Sequence, residues 1–140
     1  MEKFMIYLYH TSNTRRRILG LNRYFNGQGP VFMQLTAMMR TDILSGKYPP
    51  GTQFPTVRSL AIEAAINPNT VQKALSVLES EGLVLSRGTL GRFVTDDRAL
   101  LEQKRNEMQS AYMRRAWQEA NKLGIPKEKF IAFLHESEEG

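Results

Sequence analysis

The sequence predicts a mainly α-helical fold that carries one small β-hairpin. Three observations lead there. Between residues 31 and 81, three runs of apolar residues repeat at three- and four-residue spacing, and each run stops at a residue that ends helices. Leu83-Val84-Leu85 and Arg92-Phe93-Val94-Thr95 then read as two strands around the turn-tolerant loop 86–91. A longer helical pattern follows from residue 96. Three helices, the last two joined by a tight turn, and then a hairpin make the order of a winged helix-turn-helix, here with a two-helix tail.

The first helix begins at Val31, and Phe32, Leu35, Met39 and Ile43 form its apolar face. Gly46 is placed to end it, and Pro49-Pro50-Gly51 forbids continuation. Thr56 is an N-cap for the second helix, because its hydroxyl can accept from an unpaired N–H of the first turn. Val57, Leu60, Ala61 and Ala64 form that helix's buried stripe, and it stops near Ala65. The third helix opens with Asn67 as N-cap and Pro68 at its first position, where a missing N–H costs nothing. Its inward residues are Val71, Ala74, Leu75 and Leu78, and Gly82 is placed for a left-handed C-terminal residue. Asp96 or Asp97 caps a long fourth helix running to Leu123, with Leu101, Met108, Tyr112, Ala116, Ala120 and Leu123 as its inner face. Gly124 ends it, and Ile125-Pro126 starts a short last helix bearing Phe130, Ile131, Phe133 and Leu134. Three segments result: an N-terminal basic extension of unknown structure (1–29), the winged helix-turn-helix (30–95) and a helical tail (96–140).

At 140 residues the chain has the length of one domain, or of one domain with an appendage. No apolar run approaches the ~18 residues of a membrane span, so no membrane partner is expected. The opening MEKFMIYLYH is short in its apolar part and lacks a small-residue cleavage site, so no secretory leader is expected. The absence of cysteine excludes disulfides and cysteine-based metal sites, and it fits a reducing cytoplasm. Net charge is +5 and the pI about 9.7, which permits a polyanionic partner without requiring one. The balance is +4 over residues 1–30, +2 over 31–95 and −1 over 96–140, so the basic character sits in the first two thirds.

The region 55–94 has the chemistry of a reader of double-stranded DNA. A helix fits the major groove with its first turns nearest the base edges. The third helix presents Asn69, Thr70, Gln72, Lys73 and Ser76 away from its buried stripe. Asn and Gln can pair bidentately with adenine, Thr can touch a thymine methyl, and Lys73 can meet a guanine edge or a phosphate. The same residues would also make an ordinary solvated face. Against that reading stand the tight Ala65-Ile66-Asn67 turn, which holds the helix at a fixed angle, and the hairpin, which carries Arg87 and Arg92 near its tip. Arg58, in the first turn of the second helix, points from the same end as the third.

Residues 30–95 resemble the DNA-binding domain of the GntR family of bacterial transcription regulators. The resemblance rests on Pro30-Val31-Phe32, Gln34, Ile43, Ser45-Gly46, Pro50-Gly51, Phe54-Pro55-Thr56-Val57-Arg58 and Leu60-Ala61. It continues through Asn69-Thr70-Val71, Ala74-Leu75, Leu78-Glu79, Glu81-Gly82-Leu83-Val84, Gly91, Phe93 and Val94. It implies that Arg58 contacts bases or backbone. It implies further that Asn67, Asn69, Thr70 and Gln72 form the reading and phosphate-anchoring surface, with Gly88 and Thr89 at the wing tip. Members often carry a basic or hydroxyl residue where Pro68 stands, Arg where Gln72 or Lys73 stands, Gly where Thr89 stands and Thr where Arg92 stands. Base preference is the property these departures bear on.

The tail is too short for the separate effector domain of larger members, and two helices cannot by themselves enclose a ligand pocket of ~300–1,000 Å³. It resembles the YtrA-like subfamily, whose small tail is mainly a dimerisation device. That implies a homodimer on a pseudo-palindromic operator, commonly a repressor beside transporter genes. Met108, Tyr112, Trp117 and Phe133 are the candidate interface anchors, with packing inside one chain as the alternative. A small-molecule effector lined by Tyr112, Trp117 and Phe133 in the dimer interface is a second reading. A winged helix used only for protein contacts is a third.

His10 and His135 have no metal-ligand partner at helical spacing, and no motif sets a nucleophile against a base. No enzyme activity, metal or cofactor is expected. The run Arg15-Arg16-Arg17 is a DNA-contacting arm, a surface helix or an extension without a role. The expected location is the bacterial cytoplasm, on the nucleoid when bound.

Overall fold

The computed structural model describes residues 29–137. The Arg15-Arg16-Arg17 run and the rest of the basic extension through residue 28 lie outside them. The elements are α1 (Val31–Leu44), α2 (Val57–Ala64), α3 (Pro68–Ser80), β1 (Val84–Ser86), β2 (Arg92–Val94), α4 (Arg98–Lys122) and α5 (Lys127–Ser137), with a 3-10 turn at Gly88–Leu90. The expected architecture, mainly helical with a small β-wing, is the observed one. The described residues form two compact units, divided after Glu102 within α4.

In the first unit, α1, α2 and α3 pack around one core. Leu35, Met39, Ile43 and Leu44 of α1, Leu60, Ala61 and Ala64 of α2, and Val71, Ala74, Leu75 and Leu78 of α3 are all buried. Phe54 closes this core from the connecting segment, its ring 4.8 Å from that of Tyr48. Burial of the Leu, Ile, Val, Met and Phe side chains among them stabilises the fold by about 1.5–3 kcal/mol each. Caps set the helix starts. Thr56 Oγ1 accepts from Ser59 N at 3.1 Å, Asn67 Oδ1 from Asn69 N at 2.8 Å and Asp97 Oδ1 from Leu100 N at 3.0 Å. Arg40 of α1 holds the end of α3 through Glu81, with Nε donating to Oε2 at 2.9 Å.

The hairpin pairs β1 and β2 antiparallel, with Val84 opposite Val94, Leu85 opposite Phe93 and Ser86 opposite Arg92. The strands are shifted slightly from expectation, since Leu83 and Thr95 lie just outside them. Residues 86–91 hold the 3-10 turn rather than a plain loop. A third edge was not foreseen. Gly51 N donates to Val94 O, Val94 N to Thr52 O and Phe54 N to Arg92 O, so residues 51–54 run along the outer side of β2. Gly82, at φ +76°, turns the chain from α3 into β1.

In the second unit, the C-terminal part of α4 turns back through Gly124 (φ +69°), where Ile125 N donates to Ala120 O at 3.1 Å. Trp117 and Phe130 stack with ring centres 5.8 Å apart, and Ala120 is buried. The expected inner face of α4 is corrected here. Tyr112 is 62% exposed, Leu123 81%, and Ala116 is also exposed. One short helix covers only part of one stripe of a 25-residue helix, so the rest of the apolar pattern has no cover among the described residues.

Candidate nucleic-acid interface

The turn between α2 and α3 fixes the angle of α3. Ala65 adopts φ +51°, ψ +43°, a left-handed conformation that costs a non-glycine residue about 1–2 kcal/mol. Ile66 N donates to Ala61 O at 3.1 Å, closing α2 just ahead of the Asn67 cap of α3. Pro68 fills the first position of α3, so the next N–H, that of Asn69, is the one Asn67 satisfies. The carboxamide oxygen of Asn67 is thereby committed, and its amide N–H groups remain for a partner.

Asn69, Gln72, Lys73 and Ser76 are exposed on α3, and Thr70 is half-buried. Lys73 Nζ lies 4.0 Å from the centre of the Phe32 ring, a cation–π contact that steadies the ammonium without neutralising it. Arg58 is exposed in the first turn of α2 and makes no hydrogen bond or ion pair among the described residues. At the wing, Arg87 rests on the Phe93 ring at 4.9 Å, and Gly88 and Thr89 are exposed on the 3-10 turn.

Arg92, which the sequence places near the wing tip, already has partners. Its Nε donates to the Glu79 carboxylate and its Nη2 lies 3.4 Å from Gln72 Oε1, so the guanidinium is engaged within the chain. Glu79 was not singled out from the sequence. Its signal was present: it stands seven residues after Gln72, two helical turns along the same face. Leu90 was also missed. It is 67% exposed beside the wing tip, and its carbonyl accepts from Gln53 Nε2 at 3.1 Å, tying the tip to the 51–54 edge.

Charge on this surface follows from who is paired. Arg40 pairs with Glu81, Lys47 with Asp42 and Arg92 with Glu79. The hydrogen bonds that Arg40 donates to Glu81 raise its pKa above the ordinary value, so that charge is permanent. Arg58, Lys73 and Arg87 are the reading-surface cations that no carboxylate neutralises among the described residues. In the second unit, Trp117 is half-buried against Phe130 and Met108 is half-buried, whereas Tyr112 and Phe133 are each 62% exposed. Among the described residues no helix is long and apolar enough to cross a membrane.

The family model described as "Bacterial regulatory proteins, gntR family" matches residues 33–94, which span α1 through β2. A solved GntR family transcriptional regulator from Listeria monocytogenes is 34% identical, with a TM-score of 0.70; the likeness covers 78% of this chain and 96% of that one. The HTH-type transcriptional regulator YhcF of Bacillus subtilis is 23% identical over 120 residues, 86% of this chain and 99% of its own length. The HTH-type transcriptional repressor YtrA of the same organism is 29% identical over 108 residues, 76% of this chain and 83% of its own.

Proposed function

This chain belongs to the GntR family and is a DNA-binding transcriptional regulator, and from that premise we propose that it acts as a repressor, binding a pseudo-palindromic operator as a homodimer in the cytoplasm. The observation that carries the proposal is the outer surface of α3. Its first turns are polar, with Lys73 as their charged residue and Asn67 as their cap, and Arg58 and Arg87 add cations that no carboxylate neutralises among the described residues. Such a surface suits insertion in the major groove, with Asn69, Thr70 and Gln72 toward base edges. Arg58, Lys73 and Arg87 suit phosphates, and Gly88 and Thr89 at the wing tip suit the adjoining groove.

The homodimer is supported by the second unit. Tyr112, Met113, Ile131, Phe133 and Leu134 on the two helices, and Leu123 in the turn between them, are exposed. A second copy would cover them under a two-fold axis. Repression is supported by the likeness to YtrA, a repressor by its name.

The test is selection of bound sequences from random duplex DNA by the full chain. Enrichment of two inverted half-sites, with centres one helical turn or a multiple of it apart, is expected. No enriched sequence would overturn the reading. A lone half-site bound by a single copy would overturn the dimer.

A further inference from the structure

Gln72 is exposed on α3, yet both ends of its carboxamide face partners within the chain. Oε1 accepts from Arg92 Nη2 at 3.4 Å, and Nε2 lies 3.5 Å from Ser76 Oγ. Ser76 Oγ donates in turn to the Gln72 carbonyl at 2.9 Å. Arg92, on β2, is itself held through Nε by Glu79, two turns further along α3. The Arg92 and Glu79 side chains are only 21% and 31% exposed, so solvent and salt screen this ion pair less than a surface one. A guanidinium is a rigid planar fork, and with its Nε fixed on Glu79 the direction of Nη2 is set.

We propose that Arg92 is a positioning residue for base reading: through Glu79 it fixes the sense of the Gln72 carboxamide and does not meet a phosphate. The proposal rests on the DNA-reading function above. Glutamine recognises adenine with its oxygen toward the N6 amino group and its nitrogen toward N7, and a carboxamide turned by half a rotation presents the wrong order. An unheld side chain samples both senses. Arg92 can only donate, so it stabilises the sense in which the oxygen faces the wing. One oxygen lone pair stays open to the base. The group is ordered before DNA arrives, which reduces the entropy lost on binding. Because Glu79 neutralises Arg92, the pair adds no net charge to the surface that meets phosphate.

The experiment measures affinity of the full chain for its selected operator and for every single base-pair change of it, at several salt concentrations. Arg92→Lys keeps the charge and can still meet Glu79, but an ammonium lacks the second arm. Glu79→Gln releases Arg92 and leaves it cationic. In both variants discrimination at one base pair per half-site is expected to fall by about 3- to 10-fold. Discrimination elsewhere stays unchanged in both, and Arg92→Lys, which conserves charge, leaves the salt slope unchanged as well. Gln72→Ala abolishes discrimination at that same base pair, and adding Arg92→Lys then changes nothing more. Full discrimination in Arg92→Lys overturns the proposal. So does stronger binding by Glu79→Gln at all sequences with discrimination at that base pair intact, the behaviour of a cation whose only role is charge. A loss uniform over all base pairs together with a lower melting temperature also overturns it, leaving Arg92 a purely structural role. If wild type selects no sequence, DNA reading falls and this proposal with it; if wild type is specific and Arg92→Lys is undisturbed, this proposal falls alone.

Discussion

Arg58 stands exposed with its charge uncommitted among the described residues, and Thr70 sits half-buried where α3 begins, so its hydroxyl has a narrow range of directions. Thr70→Ala is expected to weaken operator binding by about 1–3 kcal/mol through a lost base contact, and Arg58→Ala is expected to weaken all sequences alike and to lower the salt slope by about 1 per site. Fluorescence anisotropy on a selected operator measures this, and wild-type affinity in both variants would remove them from the reading surface. Tyr48 yields a different residue-scale expectation. Burial, with the charges of Asp42 and Glu63 adding to it, pushes its pKa up from 10.0 to about 12. A raised folded pKa means that the fold favours the neutral phenol. The resulting stability is whole below pH 10 and is lost as pH rises through about 12. Urea melts of wild type should therefore weaken across that window by more than those of Tyr48→Phe; parallel curves would show that Tyr48 ionises freely. Residue identities in α3 were legible from the sequence, but their commitments were not. Nothing local distinguishes Arg87, which rests on Phe93, from Arg92, which is held by Glu79.

Helix starts were the most legible elements, because Thr56, Asn67 and Asp97 each cap an N–H two or three residues away. The edge at 51–54 was not legible. Its bonds to Arg92 and Val94 join residues about forty apart, and the local sequence there reads as a proline-glycine turn. The junction of α3 and β1 depends on Gly82. A Cβ there would stand 3.1 Å from Leu100 Cδ2, and φ +76° disfavours any L side chain. Gly82→Ala is expected to destabilise the first unit by about 1–2 kcal/mol. Chemical denaturation measures it, and a change below about 0.5 kcal/mol would mean that the junction relaxes without cost.

For the whole molecule, charge accounting bounds the response to salt. Arg58, Lys73 and Arg87 in each protomer of the proposed dimer make six candidate phosphate contacts, which give a slope of log K against log salt of about −5. A steeper measured slope assigns the excess to cations elsewhere, and deletion of residues 1–25, which removes Arg15, Arg16, Arg17 and Arg23, should then return it to about −5. An unchanged slope after deletion would exclude those arginines from the contact. Assembly is tested at the tail. Tyr112→Asp with Phe133→Asp places charge on two exposed apolar positions and should shift sedimentation from dimer to monomer, with operator affinity falling in parallel; a dimer that persists would move the interface elsewhere. The sequence by itself determined the winged helix-turn-helix, its helix limits and the polar face of α3, because periodicity, caps and turn residues act within a few positions. Only the tertiary structure decided which of those polar groups are already occupied and which apolar groups lack cover. Arg40–Glu81 and Arg92–Glu79 span 41 and 13 residues, and Trp117 finds Phe130 across a reversed chain, so each outcome depends on how elements meet rather than on what any one of them contains.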